Sequence, residues 1–213
     1  MNILILSGTN HGFEASATVI YEFLSQQVDL SVTLTDDRNA LMDLANYNAC
    51  VFGIGFTRRA QQEDGKMAWL PNLTTEQENA LFQFVEQGKG LIGIHGTAWW
   101  IGGKAADLIG GHANWHPPGS TFTVNVIDQD HQITQGVSDF EVDDEIYMSA
   151  YDPKIQILAT AEWSNKQHPL AWTKTYGNGR VFYTALGHGP STFQNETMQQ
   201  LMINAVRWAG KTS

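Results

Sequence analysis

Three histidines stand beside glycine where apolar runs stop: His11 in Asn10-His11-Gly12, His95 in Gly93-Ile94-His95-Gly96, and His188 in Gly187-His188-Gly189. A fourth, His116, lies in Trp115-His116-Pro117-Pro118, and Asp143-Asp144-Glu145-Ile146-Tyr147 sets carboxylates next to a phenol. Two or three imidazoles with one carboxylate, drawn from separated parts of a chain, are the donor set of catalytic zinc and related transition-metal sites. Such an ion polarises a carbonyl or lowers the pKa of a bound water. The same groups without an ion serve as general acid and base, because imidazole titrates near neutrality. The spacing has none of the compactness of His-Glu-x-x-His or Cys-x-x-Cys, so the fold has to gather these donors. The other reading is scattered histidines that cap turns or face water, with Asp143 and Asp144 as a solvated charge run.

Several chemistries are excluded. A sharp strand–turn–helix elbow usually presents Ser or Cys, and here the residue is His95; Cys50, the single cysteine, sits inside an apolar strand and reads as packing. The glycines around His95 lack the Lys and the spacing of a phosphate loop, and Ser7 to Gly12 fails the dinucleotide fingerprint. His112 and His116 are four apart, yet the neighbouring glycines and prolines predict a loop rather than a helix over 112–118. His168, ahead of Pro169, reads as a turn cap.

The elements that must position these groups follow from periodicity. Gly90-Leu91-Ile92-Gly93-Ile94 reads as a short strand buried on both faces, as in a parallel sheet. Gly96 lets the chain turn, and a helical stretch opens at Ala98-Trp99-Trp100. This places His95 at the carboxyl end of a central strand, the edge where open α/β sheets bind ligands. Further strands are predicted over 2–6, 28–34, 49–54, 121–127, 155–161, 170–176 and 180–186, the last two joined by a hairpin at Gly177-Asn178-Gly179. Helices are predicted over about 15–27, from a capping box Thr75-x-x-Glu78, over about 105–109, and over about 192–209 with Met198, Leu201, Met202, Ala205 and Trp208 inward. Residues 57–73 read as a long loop beside the site. Strands and helices alternate early and strands run consecutively later, which means a doubly wound, mostly parallel sheet with antiparallel additions. No linker or repeat interrupts the chain, so residues 1–213 are expected to form one domain.

Composition narrows the partners. The net charge of −10 leaves no basic footprint for nucleic acid or an anionic membrane. The first six residues lack the basic start and long apolar core of a signal peptide, and one cysteine allows no internal disulfide, so a cytoplasmic location is expected. Seven tryptophans and seven histidines against twelve Lys plus Arg suit a pocket for an uncharged, hydroxyl-rich ligand. A homo-oligomer is compatible with the sequence without being specified by it.

The blocks Gly93-Ile94-His95-Gly96, Gly110-Gly111 with His116-Pro117, Asp130-His131-Gln132-Ile133-Thr134, Asp144-Glu145-Ile146-Tyr147, Pro169-Leu170-Ala171-Trp172, and Gly179-Arg180-Val181-Phe182-Tyr183-Thr184-Ala185-Leu186-Gly187-His188 together resemble the ThuA-like (trehalose utilisation) family. Gln132 stands where that family usually has proline, and the residues after Gly111 also depart from it. The resemblance implies a flavodoxin-like, class I glutamine amidotransferase-like fold with His95 at the nucleophile position, hence no glutaminase activity. It further implies a small-molecule carbohydrate substrate, in particular oxidised (3-keto) glycosides, and a divalent metal such as zinc. On this basis the expected metal ligands are His95, His116 and His188. Glu145 is expected as base or fourth ligand, with His11 and Asp144 as further catalytic candidates. Trp99, Trp100 and Tyr147 are candidates for stacking on or positioning a sugar. The rival reading is a non-catalytic module of this fold that binds a carbohydrate or a partner protein.

Overall fold

A computed structural model describes residues 1–9, 12–53, 57–100 and 104–211. The chain runs β1 (Asn2–Leu6), α1 (Phe13–Ser25), β2 (Ser31–Thr35), β3 (Ala49–Phe52), β4 (Thr57–Gln61), β5 (Met67–Pro71), α2 (Thr75–Glu86) and β6 (Gly90–Ile94). It continues through α3 (Lys104–Ile109), β7 (Gly111–Trp115), β8 (Ser120–Val126), β9 (Phe140–Asp144), β10 (Met148–Tyr151), β11 (Gln156–Trp163), β12 (Lys166–Tyr176), β13 (Gly179–Thr184), α4 (Pro190–Gln194) and α5 (Glu196–Ala209).

Nine of the strands form one sheet in the order β2-β1-β3-β6-β13-β12-β11-β8-β9. The strands from β2 to β13 are mutually parallel, and β12, β11, β8 and β9 extend them antiparallel. In the parallel half the sequence leaves no choice of face. Ile3 to Leu6, Ala49 to Phe52, and Leu91, Ile92 and Ile94 are all fully buried, as strands covered by helices on both sides must be. Burying each large apolar side chain contributes roughly 1.5–3 kcal/mol, which is why these short runs dominate the core. The fold is the α/β arrangement that the alternation of elements predicts, with the parallel strands in flavodoxin-like order.

Local chemistry moves several boundaries. The capping box at α2 lies one residue earlier than predicted: Thr74 Oγ1 accepts from the Gln77 backbone N–H at 3.3 Å, and the Thr74 N–H donates to Gln77 Oε1 at 3.0 Å. The expected loop over 57–73 is instead the hairpin β4–β5, a separate two-stranded sheet. The stretch from His112 to Trp115, predicted irregular, is strand β7 paired with β10, because the prolines begin only at Pro117 and leave the earlier N–H groups free to pair. The single helix expected over 192–209 is divided at Asn195, whose Oδ1 accepts from the N–H groups of Thr197 and Met198 and opens α5.

The antiparallel extension is curled. Four inter-strand steps separate β13 from β9, which in a flat sheet would be about 19 Å. Yet Asp144, the last residue of β9, accepts a hydrogen bond at 2.8 Å from Gly187, three residues past β13. Coiling of the extension returns its far edge to the carboxyl end of the parallel strands. Among the described residues no helix is long and apolar enough to cross a membrane.

Candidate functional site

His95 opens a short 3-10 turn directly after β6 and carries φ 40°, in the left-handed region that a side chain with a Cβ rarely adopts. Two hydrogen bonds to β13 and its exit hold it there. The Tyr183 hydroxyl donates to the His95 carbonyl at 2.9 Å, and His95 Nδ1 donates to the Ala185 carbonyl at 2.7 Å. Because a carbonyl only accepts, the imidazole proton is on Nδ1 and the Nε2 lone pair faces the site. Tyr147 donates its hydroxyl to that lone pair at 2.5 Å. Burial raises the Tyr147 and Tyr183 phenols above their ordinary range, so both act as O–H donors.

Glu145 sits at the centre. Its Oε2 is 3.5 Å from His95 Nε2 and 3.4 Å from His188 Nδ1, and its Oε1 is 3.6 Å from His116 Nδ1. The His95 and His188 rings meet edge to face with centroids 5.4 Å apart. One donor atom each from His95, Glu145 and His188 lies within 4.8 Å of the others. Accessibility is graded: the His95 side chain is 2% exposed, Glu145 12%, His116 35% and His188 54%. A ligand therefore enters over His188 and His116 and meets His95 last.

These distances join four of the sequence candidates: His95, Glu145, His188 and, on the other carboxylate oxygen, His116. Glu145, not His116, is the third member of the close donor group; His116 Nδ1 lies 3.0 Å from the Pro117 carbonyl, which accepts its N–H. His11 lies outside the described residues. Trp99 is half-buried and meets Tyr147 and His116 edge to face, at 5.6 and 6.2 Å between centroids.

Two expected sugar contacts are corrected. Trp100 is fully buried, packs on Phe82 at 5.2 Å and donates its indole N–H to Glu78 at 2.9 Å, so it pins the chain after His95 onto α2. Lys104 pairs with the same Glu78 carboxylate. Tyr147 is 1% exposed and offers no face for stacking; its hydroxyl orients His95 instead.

Asp144 and Asp143 have separate fates. The alternation of β9 turns Asp143 to solvent and Asp144 inward, where it is 3% exposed. Asp144 Oδ1 accepts from the backbone N–H of Glu145 at 2.8 Å and of His188 at 3.2 Å; Oδ2 accepts from Gly187 N–H at 2.8 Å and the Thr192 hydroxyl at 2.5 Å. Burial pushes this carboxyl above its ordinary value while the four donors pull the other way. Both oxygens of this enclosed carboxylate are thus taken by donors of the chain itself.

A family model, ThuA (trehalose utilisation), matches residues 2–209. The chain belongs to the ThuA family. Among solved structures it is similar to a ThuA-like protein from Parabacteroides merdae, with 20% identity and a TM-score of 0.74 over 99% of this chain and 89% of that one. A cytoplasmic protein from Salmonella typhimurium LT2 is also 20% identical, with a TM-score of 0.71 over 99% of this chain and all of that one. A GMP synthase-like protein from Thermoplasma acidophilum shares the fold at 12% identity, with a TM-score of 0.58 over 97% of this chain and 92% of that one. No curated protein matches the sequence.

Within this ThuA chain the turn that follows β6 carries a histidine, His95. The thiol of Cys50, fully buried in β3, is pushed up to about 12 by desolvation, which removes it as a nucleophile. The donor chemistry of His95 Nε2, Glu145 and His188 Nδ1 fits a divalent transition metal once the Tyr147 hydroxyl, which here donates to the one Nε2 lone pair, turns away from it: two imidazole nitrogens, a carboxylate, and one imidazole oriented by a backbone carbonyl. The groups that sequence reasoning missed are the Ala185 carbonyl, the Tyr183 hydroxyl and Thr192. A backbone carbonyl has no signature in a sequence, and the other two read there as ordinary strand and helix residues.

Proposed function

We propose that this ThuA chain is an enzyme of sugar metabolism that cleaves glycosides carrying a keto group next to the carbon that will lose its proton, and that the His95–Glu145–His188 cluster is its catalytic centre. The convergence of these three side chains at one rim of the sheet carries the reading. A keto group at C3 acidifies the C2–H bond. Glu145, whose Oε1 faces the open His116 side, takes that proton; the electron pair forms the C1–C2 double bond and the C1–O bond to the aglycone breaks. His188, the most exposed imidazole, gives a proton to the departing oxygen. Addition of water across the double bond then completes a net hydrolysis. A divalent cation held by His95 Nε2, Glu145 and His188 Nδ1 would supply Lewis-acid stabilisation of negative charge on the sugar oxygens. The Ala185 carbonyl, by holding the Nδ1 proton, keeps His95 Nε2 turned into the site, and a cation there would take the lone pair that the Tyr147 hydroxyl otherwise occupies.

The test is direct. Protein supplied in turn with zinc, manganese, nickel and cobalt is incubated with 3-keto-trehalose or a 3-keto-glucoside, and free sugar is followed. Release that falls at least a hundredfold in His95→Ala and in Glu145→Gln supports the reading, in line with the loss of a general base. Binding of the keto-glycoside without release under any of these metals would assign the chain to the carbohydrate-binding alternative.

A further inference from the structure

Glu145 and His188 come from opposite sides of the molecule's longest excursion: one follows β9 at the far edge of the sheet, the other follows β13 at its centre. What sets their separation has to be a group that touches both. Asp144 does, through a single oxygen: Oδ1 takes the backbone N–H of Glu145 at 2.8 Å and that of His188 at 3.2 Å. Its other oxygen takes Gly187 N–H and the Thr192 hydroxyl, which ties the same carboxylate to the start of α4. Gly187 makes this possible. Its φ of 122° turns two successive N–H groups, of residues 187 and 188, toward one carboxylate. A Cβ there would meet Ile94 Cγ2 at 2.8 Å and the Phe193 ring at 2.9 Å.

We infer that Asp144 is a positioning residue for the cluster: by binding the main chain of Glu145 and of His188 together, it sets the distance between their side chains and so the affinity of the site for a divalent cation. The inference rests on the reading of His95, Glu145 and His188 as a cation-binding centre. It differs from the expectation of Asp144 as a catalytic group, since its hydrogen bonds go to the main chain of Glu145, Gly187 and His188 and to Thr192, not to the side chains of the cluster. An ordinary buried structural carboxylate would stabilise the fold and leave the affinity of the folded protein unchanged. A carboxylate that spaces two ligands changes that affinity even when the fold persists.

The experiment uses cobalt(II) and zinc as probes on the full chain. Affinity is measured by competition with a chromophoric chelator, ligand geometry by the cobalt visible spectrum, and folding by circular dichroism. Asp144→Asn keeps the size and one accepting oxygen but turns an amide NH₂ toward N–H or O–H donors. It is expected to weaken both metals by about 10- to 100-fold, the usual effect of losing a group that orients ligands, and to alter the cobalt spectrum. Thr192→Val is expected to shift affinity in the same direction by less, and it decides the question if Asp144→Asn does not fold. Wild-type affinity and spectrum in the folded variants, beside weakened binding in Glu145→Gln and His188→Ala, would overturn the inference alone. Unweakened binding in Glu145→Gln and His188→Ala would overturn the reading of the centre, and the inference with it.

Discussion

His95 owes its orientation to a backbone conformation that costs on the order of 1–3 kcal/mol and is retained because its surroundings over-determine it. Tyr183 is one of those surroundings, through the 2.9 Å hydrogen bond to the His95 carbonyl. Tyr183→Phe removes that donor within a fully buried setting and keeps the ring that packs 4.5 Å from Trp172. The expected loss is about 1–3 kcal/mol of unfolding free energy, the cost of taking one partner from a buried polar group. Denaturant titration checks it, and a midpoint equal to wild type would show that Tyr183 does not restrain the turn. At this scale the sequence was legible for residue types and illegible for roles. His95, Glu145 and His188 were visible as chemistry-bearing side chains, whereas the fates of Trp100 and Tyr147 depended on which neighbours buried them. Nothing in Asp143-Asp144-Glu145 itself says that the first faces water, the second accepts four hydrogen bonds and the third enters the site. The alternation of β9 decides that, and β9 offers only Phe140 and Val142 as apolar signals.

Elements were readable where their own burial defines them. The parallel strands announce themselves as short apolar runs, α2 through its capping box and the β12–β13 hairpin through Gly177-Asn178, with Gly177 at φ 57°. β4, with the sequence Thr-Arg-Arg-Ala-Gln, and β7, with Gly-His-Ala-Asn-Trp, carry no such pattern; they are strands because a partner strand pairs with them. The predicted final helix failed for a comparable reason. No glycine or proline interrupts it between Phe193 and Ala209, and the conformation of Asn195, at φ −71° and ψ 122°, shows that the chain leaves the helix and restarts. Asn195→Ala is expected to cost about 1 kcal/mol, the usual effect of removing an N-cap side chain, and to fray the first turn of α5, where Thr197 and Met198 lose their acceptor. Hydrogen exchange at those two amides reads it directly. Unchanged protection would mean that α4 and α5 behave as one helix and that Asn195 is a kink rather than a cap.

Over the whole molecule the site exists because the antiparallel half of a nine-stranded sheet curls back toward the carboxyl ends of the parallel strands, and sheet order and curl are properties of distant pairings that periodicity does not encode. The amino-terminal and carboxyl-terminal segments are also joined directly: Arg207 on α5 forks onto Asp29, with Nε to Oδ2 at 2.9 Å and a terminal nitrogen to Oδ1 at 2.7 Å. This hydrogen-bonded pair holds the Asp29 carboxyl below its ordinary value. A carboxylate whose pKa is lower folded than unfolded adds stability above the unfolded pKa, and that contribution fades as pH falls through the folded value. Stability from this pair is therefore full at neutral pH and declines below about pH 4, where unfolded aspartate begins to bind its proton. The side chains are 44% and 36% exposed, so solvent screening keeps the contribution at no more than about 1 kcal/mol. Asp29→Asn should accordingly be less stable than wild type at pH 7 by up to that amount, with the difference shrinking toward pH 3 and in high salt. Denaturant midpoints for the two proteins across this range provide the check, and a gap that widened on acidification would contradict the assigned direction.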